Sequence, residues 1–214
     1  MPKKEVADFF DSYSDRFNAI YGNKNSLFNG AVNRLFRKSM RLRYDYTIRG
    51  CQPIEGKTVV DIGCGPGHYS VRLAKMGAQN TLGLDFAPAM IEIAKKNAER
   101  AGVGSRCQFV YGDFLSYSFN RPFDYAVVMG FMDYIEEPAK VIDKVLAVTS
   151  DKAFFSFPVA GGILAWQRQQ RYKNRCKLFL YTTEDLRRLF AERKCRKIEI
   201  QKISRDFFVT VYIA

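Results

Sequence analysis

The residues most suited to chemistry form one loop, Asp61-Ile62-Gly63-Cys64-Gly65-Pro66-Gly67, which follows the short apolar run KTVVDI (57–62). Glycines at alternate positions let the backbone turn tightly and approach a ligand closely. The start of a following helix adds free N–H groups. A dinucleotide site prefers G-x-G-x-x-G with a pyrophosphate on that helix. Here the spacing is G-x-G-x-G, and Asp61 stands just ahead of it. A carboxylate there repels a pyrophosphate and suits a ligand carrying an ammonium and a sulfonium. The loop therefore contributes Asp61, Gly63, Cys64, Gly65 and Gly67 as candidate cofactor contacts. Asp85 lies 24 residues after Asp61, at the end of NTLGLD (80–85). A carboxylate so placed accepts both hydroxyls of an adenosine ribose. Asp113, in Gly112-Asp113-Phe114, ends a third run and suits an adenine amino group, with Phe86 or Phe114 covering the ring. Each acid alone reads equally well as a strand-end turn or helix cap. Three acids at the ends of successive strands point to one ligand.

Composition narrows the chemistry further. The 214 residues include one histidine, His68, and five cysteines, none spaced as C-x-x-C. A zinc site with two or three His ligands is impossible, so no metal is expected. A Ser-His or Cys-His pair would have to use His68 itself. An odd set of unspaced cysteines reads as free thiols. The formal charge of +12 is uneven. Residues 1–58 hold 11 basic and 6 acidic side chains, residues 59–150 hold 9 and 10, and residues 151–214 hold 14 and 6. A near-neutral core is flanked by basic ends, unlike a uniformly basic polyanion binder.

The elements that must position these residues alternate. After the loop, residues 68–77 read as a helix. NTLGLD is a strand, and a helix follows with Pro88 in its first turn and Met90, Ile91, Ala94 and Ala98 on its inner face. CQFVYGD (107–113) and FDYAVVMG (123–130) are strands. A helix from Pro138 turns Val141, Ile142, Val145 and Leu146 inward, and KAFFSFP (152–158) is the fifth strand. This order predicts an α/β fold, a Rossmann-like doubly wound sheet with helices on both faces. Thr182 and Asp185 resemble a capping box ahead of Leu186, Leu189 and Phe190. The final runs, 196–203 and 207–213, are joined by Ser-Arg-Asp and must form an antiparallel hairpin. Residues 1–50 read as an aromatic-rich, N-terminal helical cap. Residues 51–214 read as the ligand-binding domain, with a basic-aromatic cap insertion at about 159–181.

VVDIGCGPG, LGLDFAPAMIEIAKKNA, YGDF and FDYAVVMGFMDYIEEP together resemble the motifs of class I S-adenosylmethionine (SAM)-dependent methyltransferases. FFDSYSDRFNAIYG and the late basic-aromatic segment are similar, more loosely, to those of magnesium-protoporphyrin and ubiquinone-pathway O-methyltransferases. The resemblance implies a seven-stranded sheet with an antiparallel last strand and SAM as cofactor. It implies that Gly63, Gly65 and Gly67 line the methionine portion, that Asp85 holds the ribose, and that Asp113 with Phe114 holds the adenine. Met129 and Gly130 would then flank the sulfonium. Tyr13, Tyr21 and Arg43 are candidates for closing over the methionine carboxylate, with cap packing as the equal alternative. Related enzymes often carry a His after the fourth strand; here Phe131-Met132-Asp133-Tyr134-Ile135 puts Tyr134 in its place.

Methyl transfer from a sulfonium is mainly a problem of alignment. Asp133 or Tyr134 are the candidates to assist a hydroxyl or amine, unless both simply begin a loop over the pocket. Trp166, Arg168, Arg171 and Tyr172 in the insertion are candidate substrate contacts, since Arg pairs bidentately with carboxylates; a solvated helix face explains the same charges. The expected activity is methylation of a small-molecule acceptor, O-methylation of an anionic or aromatic metabolite. The alternatives are an RNA methyltransferase, a non-catalytic SAM-binding protein, and a SAM-using reaction other than methylation. Against the RNA reading, the chain lacks an Asn/Asp-Pro-Pro-Tyr loop and a Pro-Cys pair. No apolar run approaches the ~20 residues of a spanning helix. The charged start, MPKKEVADFFDSYSD, lacks a signal-peptide centre, so a cytoplasmic location is expected.

Overall fold

A computed structural model describes residues 30–172 and 177–214. A helix, α1 (Gly30–Gly50), leads into β1 (Thr58–Ile62), α2 (His68–Lys75), β2 (Asn80–Asp85), α3 (Pro88–Arg100), β3 (Cys107–Tyr111) and β4 (Phe123–Val128). A single 3₁₀ turn, Met132–Tyr134, precedes α4 (Pro138–Ala147) and β5 (Thr149–Pro158). The chain ends with α5 (Gly162–Tyr172), α6 (Thr183–Ala191), β6 (Lys197–Ile203) and β7 (Asp206–Tyr212). The seven strands form one sheet in the order β3-β2-β1-β4-β5-β7-β6. β1 to β5 run parallel, and β7 pairs antiparallel with both β5 and β6. The expected doubly wound sheet and its antiparallel end are both present.

Burial explains the order. Every residue of β1 is buried, as helices on both faces require. One apolar layer joins Val60, Ile62, Leu84, Val128 and Phe155 to α4 and α6. On the other face, Val59, Tyr125, Val127 and Phe154 pack with Leu73 of α2 and with Leu42, Tyr46 and Ile48 of α1. In α3 the buried residues are Met90, Ile91, Ala94 and Ala98, the four whose helical spacing marks its inner face. Thr182 and Asp185 form a reciprocal capping box on α6, an arrangement whose loss costs about 0.5–2 kcal/mol. β6, the edge strand, shows Lys197, Glu199 and Gln201 to solvent, and charged side chains protect such an edge from further pairing.

The strand order reverses between β1 and β4, which neighbour each other although β2 follows β1 in the chain. Ligands of such sheets bind beyond the C-terminal strand ends at this switch point. The glycine loop after β1, Asp85 at the end of β2, Asp113 after β3 and Gly130 after β4 all lie on that edge. Between β5 and α6 the chain makes an excursion whose two stems meet. Val159 bridges Tyr181, Ala160 N–H donates to the Tyr181 carbonyl at 2.7 Å, and Tyr181 N–H donates to the Pro158 carbonyl at 2.9 Å. Helix α5 lies in this excursion. No described helix is long and apolar enough to cross a membrane.

Candidate functional site

The loop after β1 consumes its own donors. Gly63 and Cys64 N–H both donate to the Leu84 carbonyl (2.8 and 3.1 Å), and Gly67 N–H donates to the Cys64 carbonyl at 3.0 Å. Gly65 N–H donates to Asp85 Oδ2 at 2.8 Å, and Pro66 has no N–H. No N–H group between residues 63 and 67 is therefore left to cradle a phosphate. The start of α2 carries an anion already. Asp61 Oδ2 accepts from Ser70 N–H at 3.2 Å and from Ser70 Oγ at 2.7 Å. A pyrophosphate would meet a carboxylate where a dinucleotide site presents donors. The loop thus presents no free N–H group between residues 63 and 67 to a pyrophosphate.

Asp61 is fully buried, and burial pushes its carboxyl up to about 7 despite the opposing Ser70 hydrogen bonds. Asp85 is held from two sides: Oδ2 accepts from Gly65 N–H, and Oδ1 accepts from Ala87 N–H at 2.9 Å. A carboxylate has about four acceptor sites, so these two bonds orient Asp85 without exhausting it. Asp113, half-buried, accepts from Ser116 Oγ at 3.0 Å. Phe86 is also half-buried at the same edge. A Cβ on Gly65 would meet no atom within 4 Å, so the face of the loop at this residue is open space. A Cβ on Gly63 would lie 2.6 Å from the ring of Phe131.

Several expected contacts change on inspection. The Cys64 thiol is buried beneath the loop, near the backbone of Gly83, and its N–H and carbonyl are both engaged. Burial raises that thiol well above its usual range, so Cys64 is a packing residue. The Phe114 ring is also buried, against Phe119 and Phe131, so this ring is core, whereas Phe86 is half-buried. His68 in the loop has its imidazole pulled down by burial, toward the neutral form. Tyr13 and Tyr21 lie outside the described residues.

At the other end of the edge, Gly130 N–H donates to Ser156 Oγ at 2.8 Å, and Arg43 of α1 donates to the same oxygen at 3.3 Å. Arg43 Nη1 lies 3.5 Å from where a Cβ on Gly130 would sit, so the structure brings these two expected site residues together. Met129 packs into the core beside it. Arg43 Nε is 3.6 Å from Asp206, which Ser39 also contacts. Arg168 of α5 pairs with Asp206 Oδ1 at 2.8 Å and with Asp133 Oδ2. Two arginines and two aspartates thus neutralise one another at this wall. Burial works against charge on Arg168, but Asp133 and Asp206 more than reverse it, and the guanidinium stays protonated. Burial likewise opposes charge on Asp206, yet Arg43 and Arg168 hold its carboxyl below the usual range. Arg168 is therefore not an open substrate arginine. Trp166, two residues away and so on the opposite helix face, is 61% exposed. The side chains of Arg171 and Tyr172 are not described. Asp133 is buried in the network, and its Oδ1 accepts no hydrogen bond among the described residues. Tyr134 is half-buried beside it.

Sequence reasoning missed Ser70, Phe131, Ser156 and Asp206. Phe131 was within reach: β1 pairs with β4, Asp61 opposite Val127, so residues just past β4 must abut the glycine loop. Among the described residues no cluster of three or more His, Cys, Asp or Glu could hold a metal.

Comparison with known proteins places residues 54–192 in a family described as a methyltransferase domain. A ubiquinone biosynthesis O-methyltransferase of Methylobacterium sp. (strain 4-46) is 56% identical over 54 residues, 25% of this chain and 21% of that protein. A ribosomal protein L11 methyltransferase of Enterobacter sp. (strain 638) is 42% identical over 55 residues, 26% of this chain and 19% of that protein. The chain spans only about a fifth of the length of these curated relatives. A magnesium protoporphyrin IX methyltransferase from Synechocystis PCC 6803, crystallised with SAH, superposes with a TM-score of 0.80 at 19% identity, covering 99% of this chain and 100% of that one.

Proposed function

We propose, from the premise that the chain belongs to the class I SAM-dependent methyltransferase family, that it methylates a hydroxyl or carboxylate of a small, anionic or aromatic metabolite. The observation that carries the cofactor half is the glycine loop with no donor left for a phosphate and its open face at Gly65. The residues present fit SAM: the buried Asp61 carboxylate would stand behind the cationic methionine end, Asp85 would accept the ribose hydroxyls, and Asp113 with Phe86 would hold the adenine.

When bound, SAM supplies a methyl group on an already activated sulfonium leaving group. The protein's task is then alignment. Gly63, Gly65 and Gly67 let the cofactor settle against β1. Asp85, held by Gly65 and Ala87 N–H, would hold the ribose and so orient the cofactor. Gly130 is held by Ser156 at the end of β4, where the acceptor oxygen must arrive. Asp133, buried with its Oδ1 accepting no hydrogen bond among the described residues, and the half-buried Tyr134 beside it are the groups that would take the proton of a neutral acceptor O–H as its oxygen bonds the methyl carbon. An acceptor that is already a carboxylate needs no such help. The basic residues in the insertion's sequence, Arg171, Lys173 and Arg175, support an anionic substituent.

The test is transfer of label from SAM carrying a tritiated methyl group into the small-molecule fraction of a cell extract, with the product identified by mass spectrometry. Base-labile or hydroxyl-linked label in a small molecule is expected. Label in RNA, with strongly salt-dependent RNA binding, would overturn the acceptor class.

A further inference from the structure

Among the described side chains of helix α5, Ile163 and Trp166 are 83% and 61% exposed, while Ala165 and Arg168 are buried. Amphipathic helices ordinarily dock through an apolar stripe. Alanine offers little area, so the large described side chain that this helix buries is a guanidinium with 9% exposure. Its two partners belong to different elements. Asp206 opens β7, where it pairs with Pro158 across the sheet, and is tied through Arg43 and Ser39 to α1. Asp133 sits in the 3₁₀ turn after β4, next to Tyr134. The returning limb of the excursion rests on the same turn: Phe179 N–H donates to the Asp133 carbonyl at 2.9 Å, and Lys177 pairs with Glu136 at 2.9 Å. Because the stems of the excursion meet at Val159 and Tyr181, α5 projects as one arm from a single base. Arg168 is the described side chain that fastens this arm to the acceptor end of the site.

We propose that Arg168 is a positioning residue. It clamps α5 over the acceptor side and, through Asp133, sets the turn that carries Asp133 and Tyr134 to the methyl end. Methionine at this position removes both ion pairs: Asp206 keeps Arg43 and Ser39, but the buried Asp133 carboxylate loses its ion-pair partner, and an unpaired interior charge is strongly unfavourable. Lysine keeps the charge and reaches one aspartate at a time, since it lacks the planar fork. This inference rests on the reading of Asp133 and Tyr134 as acceptor-side residues, but the clamp itself is measurable without an acceptor.

Trp166 is the chain's single tryptophan and reports on α5 directly. In the full-length protein, Arg168→Met is expected to lower Trp166 fluorescence anisotropy and to speed amide exchange over residues 163–172 by about ten-fold or more, as for a locally opened segment. Arg168→Lys should restore part of both. Calorimetric affinity for S-adenosylhomocysteine should fall by less than about ten-fold in both variants, since the loop and Asp85 are untouched and only Arg43 is coupled to Arg168, through Asp206. In the tritiated-methyl assay with cell extract, Arg168→Met should lose more incorporation at about ten-fold diluted extract than at full strength, the mark of weakened acceptor binding. Asp133→Asn, which changes one atom, serves if the methionine variant does not fold and should raise α5 exchange in the same way. Unchanged anisotropy and exchange in Arg168→Met, or in Asp133→Asn in its place, would overturn the proposal, as would equal loss of incorporation at both dilutions. Absence of labelled product from wild type would refute the methyltransferase reading, while the exchange and anisotropy results would still decide the clamp.

Discussion

Two glycines in one loop should fail in different ways when given a methyl group. Gly63 has φ +68°, and its added Cβ would lie 2.6 and 3.3 Å from Cδ2 and Cβ of Phe131. The left-handed backbone costs about 1–2 kcal/mol for a residue with a side chain, and forcing a methyl into a packed wall adds about 1–3 kcal/mol. Gly63→Ala should therefore lose about 2–5 kcal/mol, or roughly 4–20 °C in Tm at the 2–4 °C per kcal/mol of a chain this size. Gly65 has φ +51° but nothing within 4 Å of its Cβ. Gly65→Ala carries the backbone cost alone, about 1–2 kcal/mol or roughly 2–8 °C. Its methyl enters the space assigned to the cofactor, so S-adenosylhomocysteine affinity should fall by about ten-fold or more, equivalent to 1.4 kcal/mol or above. Thermal melts and calorimetry on both variants separate the two effects. If Gly65→Ala binds as wild type does, or destabilises as much as Gly63→Ala, the placement of the cofactor over the loop is refuted.

Asp61→Asn should gain stability relative to wild type as pH rises from about 4 to 8, with most of the change between about 4 and 7. Burial lifts the folded carboxyl to about 7, above the ordinary carboxylate value of 3.8, so its stabilising contribution is complete below the unfolded value and is lost as pH rises through the folded one; melts across this range with an unchanged difference would contradict it. Asp85→Ala removes the acceptor of Gly65 and Ala87 N–H and should weaken S-adenosylhomocysteine binding by about ten-fold or more by calorimetry. Tyr134→Phe should retain cofactor affinity and lose less turnover in the tritiated-methyl assay than Asp133→Ala; the reverse order would move the proton-accepting role to Tyr134.

The sheet was legible because each parallel strand is a short apolar run and each helix repeats its apolar residues at helical spacing. Met90, Ile91, Ala94 and Ala98 show the pattern most clearly, and all four are buried. The loop and Asp85 were legible because their signals are local: glycine spacing and an acid at a strand end. The acceptor end was not local. Asp206 reads as a turn residue between two strands, yet it begins β7 and lies 2% exposed between two arginines. Its partners, Ser39, Arg43 and Arg168, come from elements distant in the chain. Arg168 looked like a surface cation because charge alone cannot reveal which basic residue is the buried one. The Phe114 ring was misplaced for a related reason: an aromatic after a strand-end acid fits a ligand wall and a core equally well, and only the positions of Phe119 and Phe131 decide. The uneven charge sharpens in the same way. Part of the basic excess at the chain's ends is neutralised in the Arg43–Asp206–Arg168–Asp133 network.

The most direct measurement is titration of the wild-type protein with S-adenosylhomocysteine and, separately, with NAD by calorimetry. One saturable site for S-adenosylhomocysteine and no heat of binding for NAD are expected from a loop whose donors are all engaged and whose helix already faces Asp61. Failure to bind S-adenosylhomocysteine, or binding of NAD at comparable affinity, would contradict the account.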